Sequence, residues 1–358
     1  IDYLQVGKDL KNVPGVLAVH DLHVWEMTPS FPALIGHIEI ANIQEWPEIM
    51  TRINQILLDK YGIDHVTLQP EEVQVVIDCV EDGDAHEFHQ QVGVIHAGDT
   101  FYVQCTNGES THRMAYHAWG DPSNSKVLLC VHGLTRRGSD FKTLAQAMCK
   151  DYYVVCPDVV GRGDSDRLSN PMQYAVPQYV ADIAQLVEQL GVTQVDWLGT
   201  SMGGLIGMGM ASLPETPIRK MIMNDIGPTL NYAALLRIAG YLGLDRRFAT
   251  FEEGEAYIRT VSASFGSHTH EQWQKLARDV LRQEPDGSWR RHYDPSIAQS
   301  FESMSEESVI KGEAALWLAY DAIRCPILLV RGVDSDLLSP DTAKQMTERG
   351  PKAQLIEL

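Results

Sequence analysis

The run Gly199-Thr200-Ser201-Met202-Gly203-Gly204 holds the pattern GxSxG, and its serine is a candidate nucleophile. A strand-like run, Val195-Asp196-Trp197-Leu198, precedes it and an apolar helix-like run, Leu205 to Ser212, follows. That context places Ser201 on a tight strand-to-helix turn. Glycine at Gly199 and Gly203 leaves room for such a turn, which holds the serine in a strained conformation with its hydroxyl exposed. Attack on an acyl carbon also needs N–H donors for the developing oxyanion. His132-Gly133-Leu134 stands at the end of another apolar strand, Val127 to Val131, so the backbone N–H groups of Leu134 and Met202 are the candidate oxyanion hole. His132 reads as a histidine packed and hydrogen-bonded within its loop, because a base belongs after the acid in chain order.

The elements that must position these groups alternate. Two hairpin-like strands (Phe101 to Thr106 and His112 to Trp119) lead into the apolar strand Lys126 to Val131. Strands at Tyr153 to Cys156, Gln194 to Leu198, Lys220 to Asn224, Ile327 to Arg331 and Gln354 to Leu358 then alternate with helical runs such as Val180 to Leu190. This order predicts βαβ units and a doubly wound, mostly parallel sheet covered on both faces. Residues 230–322 are mainly helical in pattern and interrupt the strand series. Pro157-Asp158-Val159-Val160-Gly161-Arg162-Gly163-Asp164-Ser165 is a turn-rich loop after a strand.

HG, PDxxGRGxS and GxSxG occur in that order, and residues from about 99 to the end resemble an α/β-hydrolase with 230–322 as a helical cap. The resemblance implies a serine-dependent hydrolase acting on an ester or related acyl substrate through an acyl-enzyme, without a cofactor. In that family the acid precedes two apolar residues and a Ser/Pro turn, which points to Asp336 before Leu337-Leu338-Ser339-Pro340. Asp334 and Asp225 are the alternative acids, otherwise solvated or turn-capping carboxylates. The family's base is a histidine after the acid. None follows Asp336 in this sequence, and His268, His270 and His292 read as exposed or locally bonded cap residues. The resemblance therefore implies a triad histidine beyond Leu358.

A second set of chemistry-bearing residues lies near the start. Asp2 to Asn12 has helical spacing, Gly15 to Trp25 and Leu34 to Ile40 are strand-like, and Met27 to Pro32 is turn chemistry between them. Trp46 to Tyr61 is an amphipathic helix with Ile49, Ile53, Ile56 and Leu57 on one face and Gly62 as its cap, and Ile63 to Gln69 is a last strand. This αββαβ order makes a small α+β (ferredoxin-like, metallochaperone-like) domain. Imidazoles and a carboxylate gathered by sheet pairing suit a borderline cation such as Zn²⁺. The order, together with His20-Asp21-Leu22-His23-Val24-Trp25, His37 and His65-Val66-Thr67-Leu68-Gln69-Pro70-Glu71, resembles the cytoplasmic C-terminal domain of cation diffusion facilitators. Over residues 1–72 the resemblance implies a homodimer with His20, His37, His65 and Glu71 as ligands of Zn²⁺ or a similar divalent cation. His23 and Trp25 look structural, and Asp21 and Glu39 read as solvated. It also implies membrane helices upstream and a cytoplasmic location. Residues 73–98, rich in acidic residues, His and Gln, read as a linker.

Composition sets outer limits. The chain has 358 residues and a formal charge of −19, so nucleic acid is a poor partner. Six cysteines without a CxxC pair read as scattered thiols rather than a disulfide framework. No run reaches the ~18 apolar residues that read as a bilayer span.

Overall fold

The computed structural model describes residues 3–28, 31–40, 43–63, 65–72, 100–108, 110–302 and 304–358. The chain divides into two compact units, Ile1–Val92 and Gly93–Leu358. The linker stretch 73–98 lies outside the described residues.

The first unit runs α1 (Tyr3–Lys11), β1 (Val16–Thr28), β2 (Phe31–Ile40), α2 (Trp46–Tyr61) and β3 (His65–Glu72), the αββαβ order expected. β2 lies in the middle of the sheet, antiparallel to β1 and parallel to β3. On α2, Ile49, Ile53 and Leu57 are buried at helical spacing against Val6, Leu10, Leu34 and Ile38, while Ile56 is partly buried. Gly62 ends the helix at φ 64°, a left-handed conformation that glycine adopts without Cβ strain, and its N–H donates to the Leu58 carbonyl at 3.0 Å. The turn is shorter than Met27 to Pro32: the strands stay paired to Thr28 and Phe31, and Pro32 lies inside β2 opposite Glu26. Strand-end proline is tolerated because it forfeits only a terminal ladder bond.

The second unit runs β4 (Thr100–Thr106), β5 (Thr111–Trp119), β6 (Val127–Val131), α3 (Lys142–Met148), β7 (Tyr153–Pro157), α4 (Val176–Gln189), β8 (Val195–Thr200), α5 (Met202–Ala211) and β9 (Ile218–Asn224). An insertion follows: α6 (Tyr232–Leu242), β10 (Arg247–Phe248), α7 (Phe251–Val261), α8 (His270–Arg278), β11 (Leu281–Gln283), β12 (Trp289–Arg291), α9 (Gln299–Glu302) and α10 (Glu306–Ala322). The chain then returns through β13 (Ile327–Arg331), α11 (Pro340–Glu348) and β14 (Gln354–Glu357). Eight strands form one sheet in the order β14-β13-β9-β8-β6-β7-β5-β4. It is parallel except where β5 pairs with β7 and β4. Every residue of β6 and β7 is buried, as a sheet covered on both faces requires.

The stretch 230–322 is not uniformly a helical cap. It contains a small sheet, β10-β12-β11, with its own core of Phe248, Phe251, Ile258 and Leu281. Strands two or three residues long carry too little alternation to be read from sequence. α10 belongs to the main layer: Trp317 and Tyr320 enter the large core, and the Tyr320 hydroxyl donates to the Met346 carbonyl at 2.6 Å. Among the described residues no helix is long and apolar enough to cross a membrane. Cys105, Cys130, Cys149, Cys156 and Cys325 are free thiols.

Candidate active site

β8 ends at Thr200 and α5 begins at Met202, so Ser201 alone makes the turn. Its backbone sits at φ 50°, ψ −116°, a region that costs a non-glycine residue ~1–3 kcal/mol. The turn holds this strain because its surroundings leave no alternative. The Ser201 N–H donates to the Asn224 carbonyl at 2.9 Å. A Cβ on Gly203 would lie 2.0 Å from the Val131 carbonyl oxygen, and one on Gly199 would lie 2.3 Å from that of Gly203. The two flanking glycines are therefore conditions of the turn.

Gly133 faces the same point, since a Cβ there would stand 3.7 Å from the Ser201 Cβ. Met202 is the first residue of α5, where a helix leaves its N–H without an intrahelical acceptor. Among the described residues the N–H groups of Leu134 and Met202 have no other acceptor. His132 is fully buried; the Val159 N–H donates to its Nε2 at 2.9 Å, so Nδ1 carries the proton and donates to the Gly133 carbonyl at 2.7 Å. Burial pushes its pKa down to about 4, against the pull of Asp158. His132 is thus a neutral brace of the loop, the role read from sequence.

Arg162, quoted from sequence only as part of a turn, ties the two candidate oxyanion residues together. It is fully buried, donates from Nε to the Leu134 carbonyl at 2.9 Å, and reaches the Met202 sulfur at 3.5 Å from Nη2. Nη1 donates to the Val160 carbonyl at 2.8 Å and the Tyr179 hydroxyl at 3.0 Å. Asp158, in the same loop, accepts N–H bonds from Gly138 at 2.6 Å and Asp164 at 2.8 Å. Burial alone would raise its pKa, but the His117 hydrogen bond and nearby Arg137 bring it down to about 2.

Ser201 opens into a cavity of about 400 Å³, and both Asp225 and Asp336 line it. Asp334 is exposed and is not part of the lining. Asp336 accepts from Arg237 of α6, Nη2 at 2.7 Å and Nε at 3.1 Å, both on Oδ2. Asp225 sits at φ 57° directly after β9 with Oδ1 buried and unpartnered. Burial raises its pKa, only partly offset by the Ser335 hydroxyl and Arg331. The cap supplies an apolar wall that includes Ile238, Tyr241, Ile258 and Phe265. Trp273 of the cap is not part of that lining.

His268 lines the cavity, with Nδ1 3.1 Å from the Gly266 carbonyl and its ring 5.0 Å from that of Trp273. His292 contacts Arg137 and Arg282, and burial beside Arg137 lowers its pKa to about 4. His270 lies against Arg259 and Glu255. Among the described residues no histidine hydrogen-bonds to Ser201.

In the first unit, β-sheet register brings His20 opposite His37, and His37 beside Gln69. Glu71 pairs with Glu39, two positions along β2 from His37. His65 pairs with Ala33, four positions from His37 or about 13 Å at ~3.3 Å per residue. The side chains of His20, His23, Trp25, His65 and Glu71 lie outside the described set.

Comparison with known proteins agrees with both units. Residues 126–357 match the alpha/beta hydrolase fold family, and residues 1–73 match the cation efflux protein cytoplasmic domain. A 3-hydroxybutyrate-oligomer hydrolase of Cupriavidus necator is 54% identical over 260 residues, 72% of this chain and 89% of that protein. A probable zinc transporter protein of Dictyostelium discoideum is 42% identical over 79 residues, covering 22% of this chain and 14% of that protein. The crystal structure of an alpha/beta hydrolase from Novosphingobium aromaticivorans superimposes with a TM-score of 0.64 at 31% identity, covering 73% of this chain and 90% of that one. The chain thus belongs to the α/β-hydrolase fold family as a hydrolase, and carries at residues 1–73 the cytoplasmic domain of cation efflux proteins.

Proposed function

We propose that the second unit hydrolyses short esters of 3-hydroxybutyrate, with Ser201 as nucleophile. The observation that carries this reading is the strained Ser201 turn, with Gly133 and the α5 N-terminus closed around it. The Ser201 hydroxyl adds to the ester carbonyl while a base removes its proton, and the N–H groups of Leu134 and Met202 hold the oxyanion. Collapse expels the alcohol, which takes up the proton, and leaves an acyl-enzyme. Water then adds to the acyl carbon, and the acid is released as Ser201 regains its proton. Asp336 orients that base, and among the described residues no histidine hydrogen-bonds to Ser201. The cavity falls in the ~300–1,000 Å³ range of small-molecule sites, and its apolar wall suits methyl-branched acyl units. The test is release of free 3-hydroxybutyrate from its linear dimer and trimer. Ser201→Ala is expected to abolish release, and undiminished turnover by that variant would remove Ser201 from the role.

The first unit supports a second, separable role as a cytoplasmic, dimerising Zn²⁺-binding regulator. The observation in its favour is the His20–His37 pairing across β1 and β2. His20, His37 and Glu71 fall within two positions of one another in register, which fits a shared site; His65 stands four positions off and fits it poorly. Zn²⁺ there would cross-link the strands and so stabilise the fold. Efflux relatives such as the Dictyostelium protein are matched over about a seventh to a fifth of their length, so membership of a larger efflux protein is the competing reading of this unit. Calorimetric zinc titration of the intact chain should show binding that His37→Ala weakens; a zinc heat unchanged by that substitution would refute the assignment.

A further inference from the structure

The cavity contains three arginines, and two of them are already committed. Arg136 is 9% exposed and grips both oxygens of Asp140 at 2.6 and 2.7 Å. Arg291 is 8% exposed, donates to the Tyr241 and Leu244 carbonyls at 2.6 and 2.8 Å, and lies over the rings of Tyr241, Tyr257 and Tyr293. Arg237 differs. It stands on α6 beside Ile238 and Tyr241, spends Nε and Nη2 on one oxygen of Asp336, and reaches solvent where Arg136 and Arg291 do not. The pair is solvated, its side chains 41% and 42% exposed, so the ion pair is weak and sharing Arg237 with an incoming anion costs little.

A linear 3-hydroxybutyrate oligomer is neutral along its ester backbone and anionic at its carboxyl end. A cavity with an apolar wall and one accessible cation is complementary to that molecule. We propose that Arg237 recognises the terminal carboxylate of the substrate and so selects acids over neutral esters of the same length. This rests on the reading of the second unit as a 3-hydroxybutyrate ester hydrolase. Guanidinium is suited to the task because its planar donors meet a carboxylate while it remains bonded to Asp336. The chain's overall charge of −19 works against anionic ligands in general, so a local cation is needed to admit one.

The test is binding rather than turnover, in a Ser201→Ala background so that the ligand survives. Calorimetry compares the linear 3-hydroxybutyrate dimer with its methyl ester, which keeps every contact except the charge. The acid is expected to bind about tenfold more tightly, with the advantage shrinking as ionic strength rises. In Ser201→Ala/Arg237→Gln the two ligands should bind alike, and the melting temperature confirms that this exposed substitution leaves the fold intact. A preference for the acid that survives Arg237→Gln would overturn the proposal while leaving the substrate class standing. Equal binding of acid and ester by the Ser201→Ala protein would do the same. Failure of both ligands to bind would instead overturn the substrate reading, and the carboxylate contact with it.

Discussion

Adding a single methyl group at Gly203 should separate the geometry of the Ser201 turn from the chemistry it serves. In Gly203→Ala the new Cβ would lie 2.0 Å from the Val131 oxygen and 2.6 Å from its carbonyl carbon, where ordinary contact begins at 3.4 Å. Both neighbours are backbone atoms of β6, a fully buried strand paired on both sides, so neither can rotate away. The start of α5 must instead move from β6 by about 1.4 Å, which places the cost at or above the upper end of overpacking, ~3 kcal/mol. For a unit of this size that corresponds to a loss of about 6–12 °C in melting temperature. The same shift carries Ser201 Oγ and the Met202 N–H off the acyl carbon, and a displacement of ~1 Å is enough for about a hundredfold loss of rate. Thermal unfolding followed by circular dichroism and turnover of p-nitrophenyl butyrate read the two effects. Gly240→Ala is the control: nothing lies within 4 Å of that site on α6, so it should gain ~0.5–1 kcal/mol. A Gly203→Ala protein that melts and turns over like its parent would refute the packing account of the turn.

Asp225→Asn should stabilise the protein at neutral pH, because it removes the charge from a half-buried carboxylate whose Oδ1 is buried and unpartnered, and asparagine tolerates the left-handed backbone. The raised pKa means that ionising Asp225 disfavours the fold as pH rises above the ordinary carboxyl range, so the gain should vanish below about pH 4; a gain that persists there would contradict it. Asp158 has the opposite sign. Its pKa of about 2 contributes about 2 kcal/mol above pH 4, lost as pH falls toward 2, and Asp158→Asn should flatten that part of the acid-unfolding profile. External imidazole should accelerate ester turnover by residues 1–358, since no described histidine bonds to Ser201. Turnover insensitive to imidazole and abolished by His268→Ala would instead place the base in the cap.

The main sheet and the Ser201 turn were legible in sequence because both are local: unbroken apolar runs mark strands covered on two faces, and GxSxG marks a turn whose glycines answer to nearby backbone. The small β10-β12-β11 sheet was not, since its strands are shorter than one alternation can establish, and α10 looked like cap because helical spacing does not say which layer receives Trp317. Arg162 was visible only as the middle of a Gly-x-Gly turn, where nothing in the spacing shows its guanidinium crossing to Leu134 and Met202. The Asp336–Arg237 contact joins residues 99 apart in sequence and depends on how α6 lies over the sheet. Register had the same effect in the first unit: His20, His37 and His65 read as one cluster along the chain, and the pairing of β3 sets His65 apart.

Arg162 has an electrical consequence beyond fastening a loop. Its hydrogen-bond partners are two carbonyls, a hydroxyl and a thioether, and among the described residues no carboxylate forms an ion pair with it. A whole positive charge is thereby held out of water beside the Leu134 carbonyl and the Met202 side chain. On the proposed reading of Ser201 as nucleophile, that charge favours negative charge at the acyl oxygen, and it is put in place by folding rather than by solvent rearrangement during reaction.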